Sequence, residues 1–236
     1  MRAESLMSQY NDHVYYKHLG RKIKKYKDFF YISEYADDSA EIIKKLLELT
    51  QSSIGGYRAS VESWLRNYYI DCDEKKEAIL RLFENSSVAI IYGAAGTGKS
   101  TLINHISNFF SDKDKIYLAN THPAVENMHR KVKTANCEFK TIKSFLSDNN
   151  DHFECGVLVI DECSTVSNHD MRMVIEKAKF DLLILVGDIY QIESIMFGNW
   201  FSIANTFVPT KAIVELNHPY RTKNNELLAV WDRVRN

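Results

Sequence analysis

The sequence predicts an α/β protein: a mostly parallel sheet with helices on both faces, preceded by a small helical region. Three observations carry this. From Asn85 onward, short apolar runs alternate with helix-like or loop segments, the pattern of strand–crossover–strand units. Two of those runs, Val157-Leu-Val-Ile160 and Leu182-Leu-Ile-Leu-Val186, are continuously apolar, as expected of strands covered on both sides. Polar clusters follow the strand candidates, and ligands of parallel sheets collect at the carboxyl ends of strands.

Residues 1 to about 85 lack that alternation and read as helices. Ser39–Leu49 places Ile42, Ile43, Leu46 and Leu47 at helical spacing, with Ser39 as a possible N-cap. Tyr57–Tyr69 carries Val61, Trp64, Leu65 and Tyr68 on one face, and Asp73–Phe83 carries Ala78, Ile79 and Leu82. Between Leu19 and Lys27 lies a basic run, Arg21, Lys22, Lys24, Lys25 and Lys27. Such a run is in most proteins a solvated face and in a minority a phosphate-contacting patch.

Val88–Tyr92 is the first strand candidate, and Gly93-Ala94-Ala95-Gly96-Thr97-Gly98-Lys99-Ser100-Thr101 follows it, ahead of the helix-like Leu102–Phe110. This is G-x-x-x-x-G-K-S in strand–loop–helix context. The glycines let successive N–H groups turn toward phosphate oxygens. The opening helix points its positive dipole end at the same anion. Lys99 can reach the β- and γ-phosphates, and Ser100 can place its hydroxyl on Mg²⁺. A glycine-rich turn with a surface lysine is the bland alternative, and the context argues against it. The expected ligand is a nucleoside triphosphate.

The remaining strand candidates are Lys115–Leu118, Glu138–Ile142, Val157–Ile160, Leu182–Val186 and Ala212–Leu216. Polar clusters follow several of them: Asn120–His122, Asp161–Ser164, Gly187–Gln191 and His218–Arg221. Adjacent side chains at a strand end diverge, so Asp161 is read as the magnesium partner and Glu162 as the general base. Gln191 can donate to a γ-phosphate and accept from water, a sensor of phosphate state. Arg221 would stabilise charge in the transition state. Asp188 is read as fixing its loop.

Composition restricts the partners. The 236 residues carry a formal net charge of −1, so nucleic-acid binding would have to come from local patches and not from a global positive field. Cys72, Cys137, Cys155 and Cys163 are scattered without a C-x-x-C pair, which fits reduced thiols better than disulfides or zinc. No apolar stretch reaches membrane-spanning length, and Met1-Arg-Ala-Glu-Ser5 lacks the apolar segment of a signal peptide. A cytoplasmic location without membrane contact is expected.

Taken together, the motifs resemble superfamily 1 helicases, most closely the RecD-like group. Gly93–Thr101 resembles their motif I, Asn120–Met128 motif Ia, Thr141–Leu146 the block after it, and Asp161–Ser164 motif II. Gly187-Asp-x-x-Gln191 resembles motif III, and Leu216-x-x-x-Tyr220-Arg221 motif IV. The resemblance covers about residues 73–225 and implies a RecA-like P-loop NTPase domain over 73–236, after a helical accessory region over 1–72. It implies ATP and Mg as cofactors, with Lys99, Ser100, Asp161, Glu162, Gln191 and Arg221 on the ATP side. Thr121, His122 and Thr141 would face single-stranded DNA. Phe197 and Trp200 lie where some relatives place a stacking aromatic, with core packing the equal alternative. Asp73-Glu-Lys75-Lys-Glu-Ala78 puts Lys75 where relatives carry an adenine-reading glutamine, and ATP stays the expected nucleotide. Met196-Phe197 replaces a tryptophan–arginine pair of other members. The second RecA-like domain is not in this sequence, so the chain is read as the N-terminal part of a helicase, or as one half of a motor completed by another chain. An RNA-directed helicase and a nucleotide-controlled binding or signalling module in a defence system are the alternatives.

Overall fold

The computed structural model describes residues 2–149, 153–188 and 197–217. The chain opens with helix α1 (Arg2–Asp12), a hairpin of β1 (Ile23–Tyr26) and β2 (Phe29–Ile32), then α2 (Ser33–Leu49), α3 (Tyr57–Trp64) and α4 (Asp73–Arg81). The alternating part follows: β3 (Val88–Gly93), α5 (Lys99–Phe109), β4 (Lys115–Ala119), α6 (His122–Lys131), β5 (Cys137–Thr141), α7 (Ile142–Ser147), β6 (Phe153–Ile160), α8 (Asn168–Lys177), β7 (Ala178–Gly187), α9 (Trp200–Phe207) and β8 (Ile213–Leu216).

Strands β3 to β8 form one sheet in the order β5-β4-β6-β7-β3-β8, and every pairing in it is parallel. Because side chains alternate across a strand, the sheet feeds two cores. Val88, Ile90, Leu158 and Ile160 pack with Leu46 of α2, Phe145 of α7, Met171 of α8 and Trp200 of α9. Ala89, Ile91, Val157 and Val159 pack with Tyr57 of α3, Ile79 of α4, Ile103 of α5 and Met128 of α6. Helices of the first 72 residues therefore close both faces of the sheet.

Three expectations for the N-terminal region need correction. Residues 23–32 are an antiparallel hairpin and not helix. Helix α2 starts at Ser33, and Ser39 lies inside it with its hydroxyl donating back to the Tyr35 carbonyl (2.8 Å). The acids Glu34, Asp37 and Asp38 hid the first turns from an apolar-periodicity reading. The third correction concerns length: α3 ends at Trp64, short of Tyr69. Among the described residues no helix is long and apolar enough to cross a membrane.

Candidate functional site

The loop between β3 and α5 turns through two left-handed residues, Gly96 (φ 90°) and Gly98 (φ 88°), a conformation that only glycine adopts cheaply. Gly93 is required for space: a Cβ there would lie 2.5 Å from Thr97 Oγ1 and 3.0 Å from the Leu216 carbonyl. Thr97, buried, donates its hydroxyl to the Ala94 carbonyl (2.9 Å) and braces the loop. Gly98 is the N-cap of α5 and no side chain caps it, so the first N–H groups of the helix face the loop's hollow. The Lys99 ammonium donates to the carbonyls of Gly93 (2.5 Å) and Ala94 (3.0 Å).

A cavity of about 380 Å³ opens over this loop. Ala95, Gly96, Gly98, Lys99, Ser100 and Thr101 form its floor; Asp161 and Glu162 come in from the end of β6, and Gly187 and Asp188 from the end of β7. Groups far apart in sequence thus meet at one rim because their strands are parallel and adjacent. Gln191 and Arg221 lie outside the described residues.

The two carboxylates sit in different settings. Asp161 is buried and accepts from the Glu162 N–H (2.9 Å). Burial pushes its pKa up, against that hydrogen bond and the charges of Lys99 and Lys131. Glu162 is half-buried; burial first, and then the neighbouring Asp161 charge, raise its pKa, while Lys99 lowers it. Its backbone is left-handed (φ 55°), which for a non-glycine residue costs about 1–3 kcal/mol. That strain turns the side chain out of the β6 direction so that consecutive acids enter one cavity.

Among the described residues no cluster of three His, Cys, Asp or Glu side chains forms a metal cage. Mg²⁺ is commonly held by one or two carboxylates, with phosphate and water completing its shell. Asp161 and the Ser100 hydroxyl on the same cavity are a donor set suited to that arrangement.

Asn127 and Lys131, four apart on α6, also line the cavity. Lys131 Nζ lies 3.4 Å from Ser100 Oγ. Asn127 lies inside the block at 120–128 and Lys131 one turn beyond it, on the same helix face. Lys75 does not line this cavity. It is 1% exposed and paired with Asp71, which also bonds His105 Nε2 (3.0 Å).

Thr121 and His122 are exposed at the carboxyl end of β4, where Thr121 caps α6 by accepting from the Ala124 N–H (3.3 Å). The Asn120 amide donates to the Thr165 carbonyl (2.9 Å) and ties this loop to the one after β6. Thr141 is buried, and its oxygen accepts from the Ser144 N–H (3.1 Å) as the cap of α7. In this position the Thr141 oxygen is engaged as the cap of α7. Trp200 is a core residue, fully buried with Nε1 donating to the Val166 carbonyl (2.9 Å). Phe197 is exposed and stacked on Tyr35, with centroids 4.3 Å apart and planes 9° from parallel.

A phosphate loop, two strand-end acids and a six-stranded parallel sheet define a P-loop nucleotide-binding domain of the RecA-like class. Residues 72–236 match the family described as AAA domain, and the chain belongs to that family. Among solved structures, it is similar to a Pif1 helicase from work on unwinding forked DNA by two coordinating Pif1 molecules (TM-score 0.51, 19% identity, 72% of this chain and 49% of that one). It is similar to the UvsW helicase of bacteriophage T4 (TM-score 0.50, 11% identity, 70% of each chain). It also resembles Bacteroides Pif1 bound to single-stranded DNA (TM-score 0.49, 20% identity, 72% of this chain and 47% of that one). The chain spans about half the length of these Pif1 structures. No curated protein matches it.

Proposed function

We propose that this chain is an ATP-hydrolysing motor domain of a superfamily 1 DNA helicase, with residues 73–236 as the RecA-like unit and 1–72 as its accessory region. The observation that carries the reading is the single cavity onto which Lys99, Ser100, Asp161, Glu162 and Lys131 converge. In it the loop N–H groups and Lys99 hold the β- and γ-phosphates, and Ser100 and Asp161 hold Mg²⁺, which supplies charge neutralisation when bound. Glu162 accepts the proton of the attacking water, and its raised pKa makes it a better base than a solvated glutamate. Gln191 and Arg221 complete the γ-phosphate side in this reading. Thr121 and His122, exposed on the same rim, contact single-stranded DNA. The RecD-like placement rests on the Gly187-Asp-x-x-Gln191 element followed by Tyr220-Arg221. A cytoplasmic location belongs to the same proposal.

A translocase closes two such domains on ATP and moves one against the other on the strand. This chain by itself is therefore expected to bind Mg·ATP weakly and hydrolyse it slowly. Phosphate release with and without oligo-thymidylate tests it. Slow turnover that disappears in Glu162→Gln supports the proposal; vigorous DNA-stimulated turnover by the chain alone contradicts the need for a second domain.

A further inference from the structure

The basic run Arg21–Lys27 holds five cations and no acid, and the fold lays it along a hairpin. Ile23 pairs with Ile32, Lys24 with Tyr31, Lys25 with Phe30, and Tyr26 with Phe29. Directly opposed residues share a face, and successive residues alternate between faces. On the face of Ile23, Lys25, Phe30 and Ile32, the two isoleucines are half-buried, while Lys25 and Phe30 stay exposed. Asn11 clamps Ile23 through both backbone groups (2.8 Å each), Lys25 bonds Glu4 (2.5 Å), and Ile23, Phe30 and Ile32 line a groove against α2.

The opposite face carries Lys24, Tyr26, Phe29 and Tyr31. Its rings are open to solvent: Tyr26 is 63% exposed, Phe29 72% and Tyr31 37%. Lys27, left-handed at the turn (φ 53°), holds its ammonium 5.4 Å from the Tyr26 centroid. Among the described residues Lys22, Lys24 and Lys27 make no ion pair, and Asp28 is the one acid in the turn. Exposed rings interleaved with three cations that make no ion pair, one of them lying over Tyr26, fit a ligand that is both flat-apolar and anionic. An apolar protein surface would leave the cations without partners. A single nucleic-acid strand supplies bases for the rings and phosphates for the ammonium groups.

The face also connects to the motor. The groove beside it, about 1250 Å³, is bordered by Phe30, Tyr31, Tyr35 and Phe197. The Phe197 carbonyl accepts from the N–H of Asn168, the first residue of α8, just past the acids at the end of β6. We propose that the hairpin face of Lys24, Tyr26, Phe29 and Tyr31, flanked by Lys22 and Lys27, is a second binding surface for single-stranded nucleic acid, with bases stacked on the rings. It gives residues 1–72 a task beyond the nucleotide cycle and stands whether or not the chain hydrolyses ATP.

The test is fluorescence anisotropy of a labelled oligo-thymidylate on the full chain without nucleotide. Two variants are compared, Tyr26→Ala/Phe29→Ala and Lys22→Gln/Lys24→Gln/Lys27→Gln. All five side chains project into solvent, so both variants are expected to fold, and circular dichroism checks this. The aromatic pair variant should bind about tenfold or more weakly. The lysine variant should flatten the log-affinity against log-salt slope by about 2, at roughly 0.7 per phosphate contact. Wild-type affinity and slope in both folded variants overturn the proposal. The motor reading is judged separately by binding of a labelled ATP analogue, which neither variant should change: loss of that binding in the wild type with hairpin-dependent DNA binding intact would sink the motor and leave this surface standing.

Discussion

Lys131→Ala probes the cavity at a cation that the motif spacing does not announce. Lys131 reaches Ser100 Oγ at 3.4 Å from a helix packed beside α5, and its charge opposes the upward push of burial on the Asp161 pKa. A charge-assisted hydrogen bond to phosphate contributes about 1.5–3 kcal/mol when well shielded. Lys131 is exposed, and solvent screening cuts that to about 1 kcal/mol, which is roughly fivefold in affinity at 1.36 kcal/mol per decade. Ser100 marks the metal and γ-phosphate side of the loop, so the loss should fall on triphosphate and spare diphosphate. Competition against a fluorescent nucleotide, with Mg²⁺ present, reads both constants. Triphosphate binding about fivefold weaker, diphosphate less than twofold, and near-complete rescue by Lys131→Arg are expected, with the difference shrinking as salt is raised. Equal weakening of both nucleotides, or none, would refute the placement of Lys131 at the phosphate end.

Five further outcomes follow from the structure. Glu162→Gln should keep nucleotide binding and lower turnover by about 10²–10⁴. Wild-type turnover should fall with acid as Glu162 takes up its proton, and a pH–rate profile of steady-state phosphate release shows that limb. Glu162→Gly removes the left-handed strain and should raise Tm by about 2–4 °C for roughly 1 kcal/mol while abolishing turnover; calorimetry checks it. Leu46→Ala, in the core shared by α2 and the sheet, should cost about 2–5 kcal/mol and lower the melting of the whole chain in one step. At Asp71, burial works to raise the pKa, but hydrogen bonds from Lys75 and His105 and the Lys75 charge outweigh it and leave the carboxyl depressed. The stability this adds is present above the unfolded value and lost as pH falls through the folded one. Asp71→Asn should therefore cost about 1–2 kcal/mol at neutral pH, reduced from the fully buried case by the partial exposure of Asp71, and the gap to wild type should close in acid.

The central strands β6 and β7 were legible because strands buried on both faces carry continuous apolar runs, and the phosphate loop because its chemistry demands local spacing. Even there, β6 begins at Phe153 and β7 at Ala178, earlier than the apolar runs, since Glu154, Lys179 and Asp181 extend both strands with exposed side chains. The hairpin was illegible for a related reason. Its apolar residues alternate with lysines on the first strand, and two short strands carry too few apolar positions to outweigh a basic run. Asn127 and Lys131 join the cavity through the packing of α6 beside α5, which no local pattern encodes. Thr141 and Thr121 look alike in sequence, each a threonine at a strand end. Burial separates them, one turned inward as a cap and the other capping from an exposed rim.

Whether side chains from separate strand ends hold one triphosphate is answered most directly by isothermal titration with ATP, with and without Mg²⁺, of wild type, Lys99→Ala and Asp161→Asn. Wild type should bind with Mg²⁺-enhanced affinity, Lys99→Ala should weaken binding tenfold or more, and Asp161→Asn should lose the Mg²⁺ enhancement while still binding nucleotide. Binding that is indifferent to both substitutions, or to the metal, would contradict the site.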